Sequence, residues 1–175
     1  MMSDSRHSCE LCVSDGGKRL WRNAFCRIVS VADPDYPGFC RVILNQHVAE
    51  MTDLPDDERQ ALMRVVFAVE AVVREVVRPD KINLASLGNM VPHVHWHIIP
   101  RWREDRCFPN PIWAPAQRDA AASRTVSQTT TLTTAPATLD PTPASQLADE
   151  LANKLAVALE RRLGPTEQLS VGGPS

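Results

Sequence analysis

The chain has 175 residues, 43% of them hydrophobic, and its 19 Lys and Arg against 21 Asp and Glu leave a formal charge of −2. That length fits one compact domain with an appendage, and the charge balance argues against non-specific nucleic-acid binding. No apolar run approaches the ~20 residues of a membrane span, and Met1 to His7 has no apolar signal segment, so a cytoplasmic chain away from membranes is expected.

In chain order, Cys9-Glu10-Leu11-Cys12 leads to a turn at Ser14-Asp15-Gly16-Gly17. Leu20–Arg22 and Ala24–Val31 read as two strands, the second carrying Phe25, Ile28, Val29 and Val31. Asp33-Pro34-Asp35-Tyr36-Pro37-Gly38 is a turn, because prolines fix φ and glycine permits φ > 0. Phe39–Leu44 is a third strand. A helix starts around Asp53–Glu58, where Pro55 suits the first turn and Asp56, Asp57 and Glu58 favour the positive end of the dipole. Leu62, Val65, Val66, Val69, Val72, Val73 and Val76 then recur at three- and four-residue steps, one apolar helical face that Pro79 ends. Ile82–Leu87 is a fourth strand, Gly88-Asn89 a turn, and Pro92–Pro100 contains a fifth strand with period-two alternation. Arg101–Pro115 is irregular chain expected to wrap the domain.

Composition then shifts. All nine Phe, Trp and Tyr lie between Trp21 and Trp113, whereas nine of ten threonines follow residue 124. This sets a folded domain at 1–115 and a Thr-, Ala- and Pro-rich linker at 116–143. A C-terminal amphipathic helix follows at 144–164, marked by Leu147, Leu151, Leu155, Leu159 and Leu163, and then a tail at 165–175. Strands, one long helix and more strands make an α+β fold. Five cysteines is an odd number for a disulfide framework, so reduced thiols are expected. Cys26, Cys40 and Cys107 read as small apolar residues, and His7 as part of a mobile terminus.

His93-Val94-His95-Trp96-His97-Ile98-Ile99 carries the chemistry. On a strand, alternate side chains share a face at roughly 6.6 to 6.8 Å spacing. His93, His95 and His97 would line one face while Val94, Trp96 and Ile98 enter the core. Imidazole serves as nucleophile, proton carrier or metal ligand near neutral pH. A metal held by all three histidines would need a further ligand from elsewhere. Cys9-x-x-Cys12 is, by itself, half of a tetrahedral zinc site.

The stretch resembles the signature of the histidine triad (HIT) family, His-φ-His-φ-His-φ-φ with φ apolar, at every position. Pro37-Gly38 before an apolar strand, Asn45-Gln46-His47, Asp53-Leu54, Asn83, Gly88-Asn89 and Ile98-Ile99-Pro100-Arg101 also fall in the family's order, over about residues 9 to 108. The resemblance implies a five-stranded antiparallel sheet with one long helix, and a homodimer formed through that helix and a sheet edge. It also implies a nucleotide hydrolase of the Hint- or Fhit-like kind, acting on nucleoside phosphate conjugates such as phosphoramidates or dinucleoside polyphosphates. His95 would attack the α-phosphorus to give a nucleotidyl-histidine, which water then cleaves. His97 would hydrogen-bond the phosphate or leaving group, and His93 would buttress the strand or bind metal. Gly88, Asn89 and Asn83 would face the phosphate. Bacterial members further imply a structural Zn²⁺ site from Cys9, Cys12, His47 and His93.

Two positions depart from the family pattern. Phe39 stands directly after Pro37-Gly38, where a further histidine is frequent. Counting back seven residues from Gly38 reaches Val31, where an Asp or Asn often binds ribose hydroxyls; Asp33 is the nearest carboxylate and takes that role only with a shifted loop. These departures leave open a nucleotide-binding regulatory module with little turnover. A nucleotidyltransferase is disfavoured by His97, because that branch typically has Gln there.

Overall fold

A computed structural model describes residues 9–118 and 144–166. The elements run α1 (Glu10–Val13), β1 (Lys18–Arg22), β2 (Cys26–Ser30), β3 (Cys40–Leu44), α2 (Asp56–Val77), β4 (Lys81–Ser86), β5 (His95–Arg101) and α3 (Ala144–Leu163), with a 3-10 turn at Met51–Asp53. The five strands form one antiparallel sheet in the order β1-β2-β3-β5-β4. This is the α+β fold expected. The linker expected at 116–143 lies outside the described residues beyond position 118, as do the tail beyond Thr166 and His7.

Alternation along the strands gives the sheet two unlike faces. Cys26 and Ile28, Cys40, Val42 and Leu44, and Ile98 point to one face, with Val94 beside them, and form the main core with α2. The helix contributes Leu62, Val66, Val69, Val72 and Val73 at the spacing expected, with Val65 and Val76 half-buried. Its start differs from the expectation: Pro55 flanks the first turn, and Asp53 instead accepts from the Glu50 N–H at 3.3 Å, closing the 3-10 turn. Arg78 ends the helix in the left-handed region at φ 54°. Gly38 holds the turn before β3 at φ 86°, where a Cβ would lie 2.6 Å from Val77, so a side chain there would collide with the end of α2.

Helix α3 completes that core. Ala152, Leu155 and Leu159 are buried in the same cluster, whereas Leu147 is exposed. Both ends are tied to β1. Lys18 pairs with Asp149 at 2.7 Å, the Trp21 indole N–H donates to the Gly164 carbonyl at 2.9 Å, and the Arg22 N–H donates to Thr166 Oγ1 at 3.0 Å. Among the described residues, no helix is long and apolar enough to cross a membrane.

The opposite face carries two small clusters with a gap between them. Cys9 and Leu11 pack on Val29 and Ile43 at one end, and Tyr36, Phe39 and Ile99 pack together at the other. Buried Arg27 clamps α1 to the sheet by donating to the carbonyls of Leu11, Ser14 and Asp15.

Candidate active site and metal cluster

The gap between those clusters holds the histidines. Strand β5 begins at His95, so His93, expected on the strand with His95 and His97, stands two residues before it. The physical reason is local: Pro92 has no N–H, and the His93 N–H is spent on the Val91 carbonyl at 2.8 Å. His93 therefore sits on the approach to the strand, and its ring turns towards α1. His95 and His97 lie on the strand itself, with ring centroids 4.8 Å apart. Val94 and Ile98 enter the main core as expected, and Trp96 is half-buried against it. His95 is 7% exposed and His97 5%.

One hydrogen bond fixes the His95 tautomer. His95 Nδ1 lies 2.6 Å from the His93 carbonyl. A carbonyl only accepts, so Nδ1 carries the proton and Nε2 keeps its lone pair. Burial pushes the His95 pKa down, against the pull of that backbone bond, and the Arg41 charge lowers it further. Burial, His95 and Arg41 push His97 down to about 4. Both imidazoles are neutral at pH 7. His97 Nδ1 is buried without a hydrogen-bond partner.

Three neighbours surround His97, of which the sequence reading singles out Phe39 but not Arg41 or Trp113. Arg41 on β3 is the cross-strand partner of His97. Phe39 packs on His97 with ring centroids 5.6 Å apart. Trp113 meets His97 edge-on at 5.3 Å while remaining 54% exposed. The signal for Arg41 was present: it is the single charge in the Phe39–Leu44 strand, in step with Phe39 and Ile43. Trp113 had no such signal, because its place depends on the wrap after β5.

A buried ion pair sets that wrap. Arg101 and Asp105 are each 2% exposed and bind through two contacts, at 2.7 and 3.0 Å. Burial raises the Asp105 pKa, but the bonds from Arg101 and from the N–H groups of Cys107 and Phe108 outweigh it and hold the carboxyl below its usual range. Arg101 also donates to Asn83 Oδ1 at 2.7 Å and to the Asn110 carbonyl at 2.8 Å. Asn83 does lie on the histidine face of β4, but its side-chain carbonyl is engaged by Arg101. Gly88 and exposed Asn89 belong to a longer connection, residues 87–94, where Gly88 has no positive φ. Asp33 Oδ1 accepts from the Asp35 N–H at 3.0 Å and so serves the turn before β3.

The second constellation comes together as the sequence suggested. The ligand atoms of Cys9, Cys12, His47 and His93 all lie within 4.8 Å of one another. Cys12 Sγ is 3.4 Å from His47 Nδ1 and 3.5 Å from His93 Nδ1, and Cys9 Sγ is 3.5 Å from His93 Nδ1. Bond lengths of about 2.3 Å to sulfur and about 2.0 Å to nitrogen place tetrahedral ligands at roughly such separations. His93 Nε2–H donates to the Leu44 carbonyl at 2.8 Å, which leaves Nδ1 free to face the thiols. Two thiols and two imidazoles so arranged form a cluster that could bind a metal ion.

Comparison with known proteins agrees with this geometry. The HIT domain family matches residues 17–104. A stretch of 81 residues is 32% identical to the AP-4-A phosphorylase of Mycobacterium tuberculosis, covering 43% of this chain and 42% of that protein. A stretch of 77 residues is 35% identical to the asymmetrical bis(5'-nucleosyl)-tetraphosphatase of Schizosaccharomyces pombe, covering 41% and 42% respectively. The match thus spans less than half the length of either relative. The fold is shared with a histidine triad protein from Marinobacter aquaeolei, at TM-score 0.62 and 23% identity, over 85% of this chain and 92% of that one. With the family's model matching half its length, the fold shared and the triad in place, the chain belongs to the HIT domain family.

Proposed function

We propose that this chain is a nucleotide hydrolase that cleaves at the α-phosphorus of nucleoside phosphate conjugates through a nucleotidyl-His95 intermediate. The observation that carries the reading is the 2.6 Å bond from His95 Nδ1–H to the His93 carbonyl, which aims an unprotonated Nε2 away from the strand. In the first step Nε2 bonds to the α-phosphorus as the bond to the leaving group breaks. In the second, water attacks the same phosphorus, the P–N bond breaks, and nucleoside monophosphate leaves with His95 restored. A covalent intermediate divides one hard displacement into two easier ones. Neutral His97 beside it serves as hydrogen-bond partner to the phosphate or the leaving group. Gly88, Asn89, Asn83 and Asp33 remain the proposed nucleotide contacts, with the Asn83 amide nitrogen as the part not engaged by Arg101.

The names of the relatives support a dinucleoside polyphosphate as substrate. One of them is a phosphorylase, and this favours a second acceptor: inorganic phosphate in place of water in the second step. We assign the metal cluster to Zn²⁺, held by Cys9, Cys12, His47 and His93. Bound there, zinc supplies a structural cross-link between the N-terminal segment and the approach to the catalytic strand. The reading includes a homodimer, supported by the open edge of β4 and by Phe67, 54% exposed on α2. It also includes a cytoplasmic setting, supported by the buried, unbridged Cys26, Cys40 and Cys107.

The test is AMP release from adenosine phosphoramidate and from diadenosine tetraphosphate, with and without inorganic phosphate, by wild type and His95→Ala. Replacing the nucleophile is expected to cost at least about 10³-fold. Turnover that survives in His95→Ala removes the nucleophile assignment, and nucleotide binding without turnover in wild type supports the regulatory reading instead.

A further inference from the structure

Three arginines are partly or wholly buried on the histidine side of the sheet, and two of them are satisfied. Arg27 donates to three carbonyls around α1, and Arg101 pairs with Asp105. Arg41 differs. Its Nε is buried without a hydrogen-bond partner, and among the described residues no carboxylate forms an ion pair with it. Glu10 contributes only a favourable field from the start of α1. The guanidinium lies 5.8 Å over the Phe39 ring, on the same face as His95 and His97. Taking a cation partly out of water without a counter-charge is unfavourable. An imidazole carries no negative charge in either of its protonation states, so His95 and His97 supply no counter-charge and the site is arranged for an anion that arrives with the ligand.

We infer that Arg41 binds the phosphate next to the attacked one, and so makes the site selective for nucleoside polyphosphates over phosphoramidates. This rests on the reading of His95 as nucleophile. Arg41 stands one strand away from His97, and neighbouring strands are about 4.8 Å apart. An α-phosphate held against the histidines therefore has its next phosphate within reach of the long Arg41 side chain. The planar guanidinium presents a fork of donors that matches phosphate oxygens in pairs. When Nε2 of His95 bonds to the α-phosphorus, the bridging P–O bond breaks and its electron pair leaves on the departing phosphate. Arg41 neutralises that charge where it forms. A phosphoramidate leaves as an amine and gains nothing from a cation at this place.

The experiment compares wild type with Arg41→Leu, Arg41→Gln and Arg41→Lys, each checked for fold by circular dichroism. Calorimetry measures binding of AMP and of α,β-methylene-ADP, whose carbon bridge resists cleavage. Wild type is expected to bind the methylene analogue about 10-fold more tightly than AMP, a ratio that falls towards 1 in Arg41→Leu and is partly restored in Arg41→Lys. The ratio of kcat/KM on diadenosine tetraphosphate to that on adenosine phosphoramidate is expected to fall by about 10-fold or more in Arg41→Leu. An unchanged ratio in both assays, or equal losses on both substrates, overturns the inference while leaving His95 as nucleophile. A wild type that turns over neither substrate removes the hydrolase reading, and the binding ratio then decides the role of Arg41 by itself. If Arg41→Leu fails to fold, Arg41→Gln gives the same comparison with a polar side chain in place.

Discussion

His97 keeps a neutral ring because its surroundings exclude water and contain a cation, with Nδ1 buried and unpartnered and the Arg41 strand alongside. Its pKa near 4 has a consequence for stability. Between about pH 6.5 and about 4 the unfolded chain takes up a proton on this residue and the folded chain does not. Stability therefore falls as pH falls through that window, by an amount on the order of 3 kcal/mol for this one group. Urea denaturation at pH 7 and pH 4.5 checks the slope, and His97→Phe should flatten it. The His97 ring should also stay neutral down to about pH 4 when followed by NMR. At this scale the sequence was informative about chemistry and silent about surroundings. Three alternating histidines name the reactive groups, but no local pattern says that Phe39 and Trp113 close on His97. Arg41 lay between those cases, since one charge in step with Phe39 and Ile43 does announce itself on an alternating strand.

Elements built from regular spacing were read closely, and those built from loop hydrogen bonds were not. The valine steps of α2 place its buried face, and its end at Arg78 sits just before Pro79 as expected. His93 falls outside β5 because Pro92 and the His93–Val91 bond delay the ladder, which a pattern of apolar and polar residues does not record. For the wrap after β5, the governing contact joins Arg101 and Asp105, four residues apart but read without a helix to relate them. Removing one partner of a buried pair leaves the other uncompensated, so Asp105→Ala should cost about 3–5 kcal/mol and loosen Trp113 from His97. Thermal unfolding measures the first effect, and a red shift and stronger quenching of Trp fluorescence by acrylamide the second. The leucine step of four gave α3 its buried face but not its partner, which is the α2 and β1 side of the same core. Leu155→Ala should therefore destabilise the whole chain by about 2–5 kcal/mol in chemical denaturation; a change below 0.5 kcal/mol would mean that α3 contributes little to the core.

Across the whole molecule, one sheet separates two tasks. Its helix side holds most of the apolar burial, and its other side carries two small clusters with the buried histidines between them. His93 joins the tasks: its Nδ1 faces the thiols and its carbonyl fixes His95. Loss of a metal held by Cys9, Cys12, His47 and His93 should thus lower activity as well as stability. Protein purified without added metal is expected to hold about one zinc per chain by elemental analysis, as a Cys₂His₂ set binds a single ion. Cys9→Ser, or treatment with a strong chelator, should lower the melting temperature by several degrees and reduce turnover together. The overall plan was legible because the triad fixes the alternation of β5 and Pro37-Gly38 fixes the entry to β3; the pairing of α1 with the sheet was not, since it depends on Arg27 reaching three carbonyls. The central claim is covalent attack by His95, and mass spectrometry of rapidly quenched enzyme tests it most directly. Protein mixed with diadenosine tetraphosphate and stopped in alkali, where phosphohistidine-type bonds survive, should carry one adenylyl group on the peptide containing His95, and none in His95→Ala. An adenylyl group on another residue, or efficient AMP release with no adduct at any time, would contradict it.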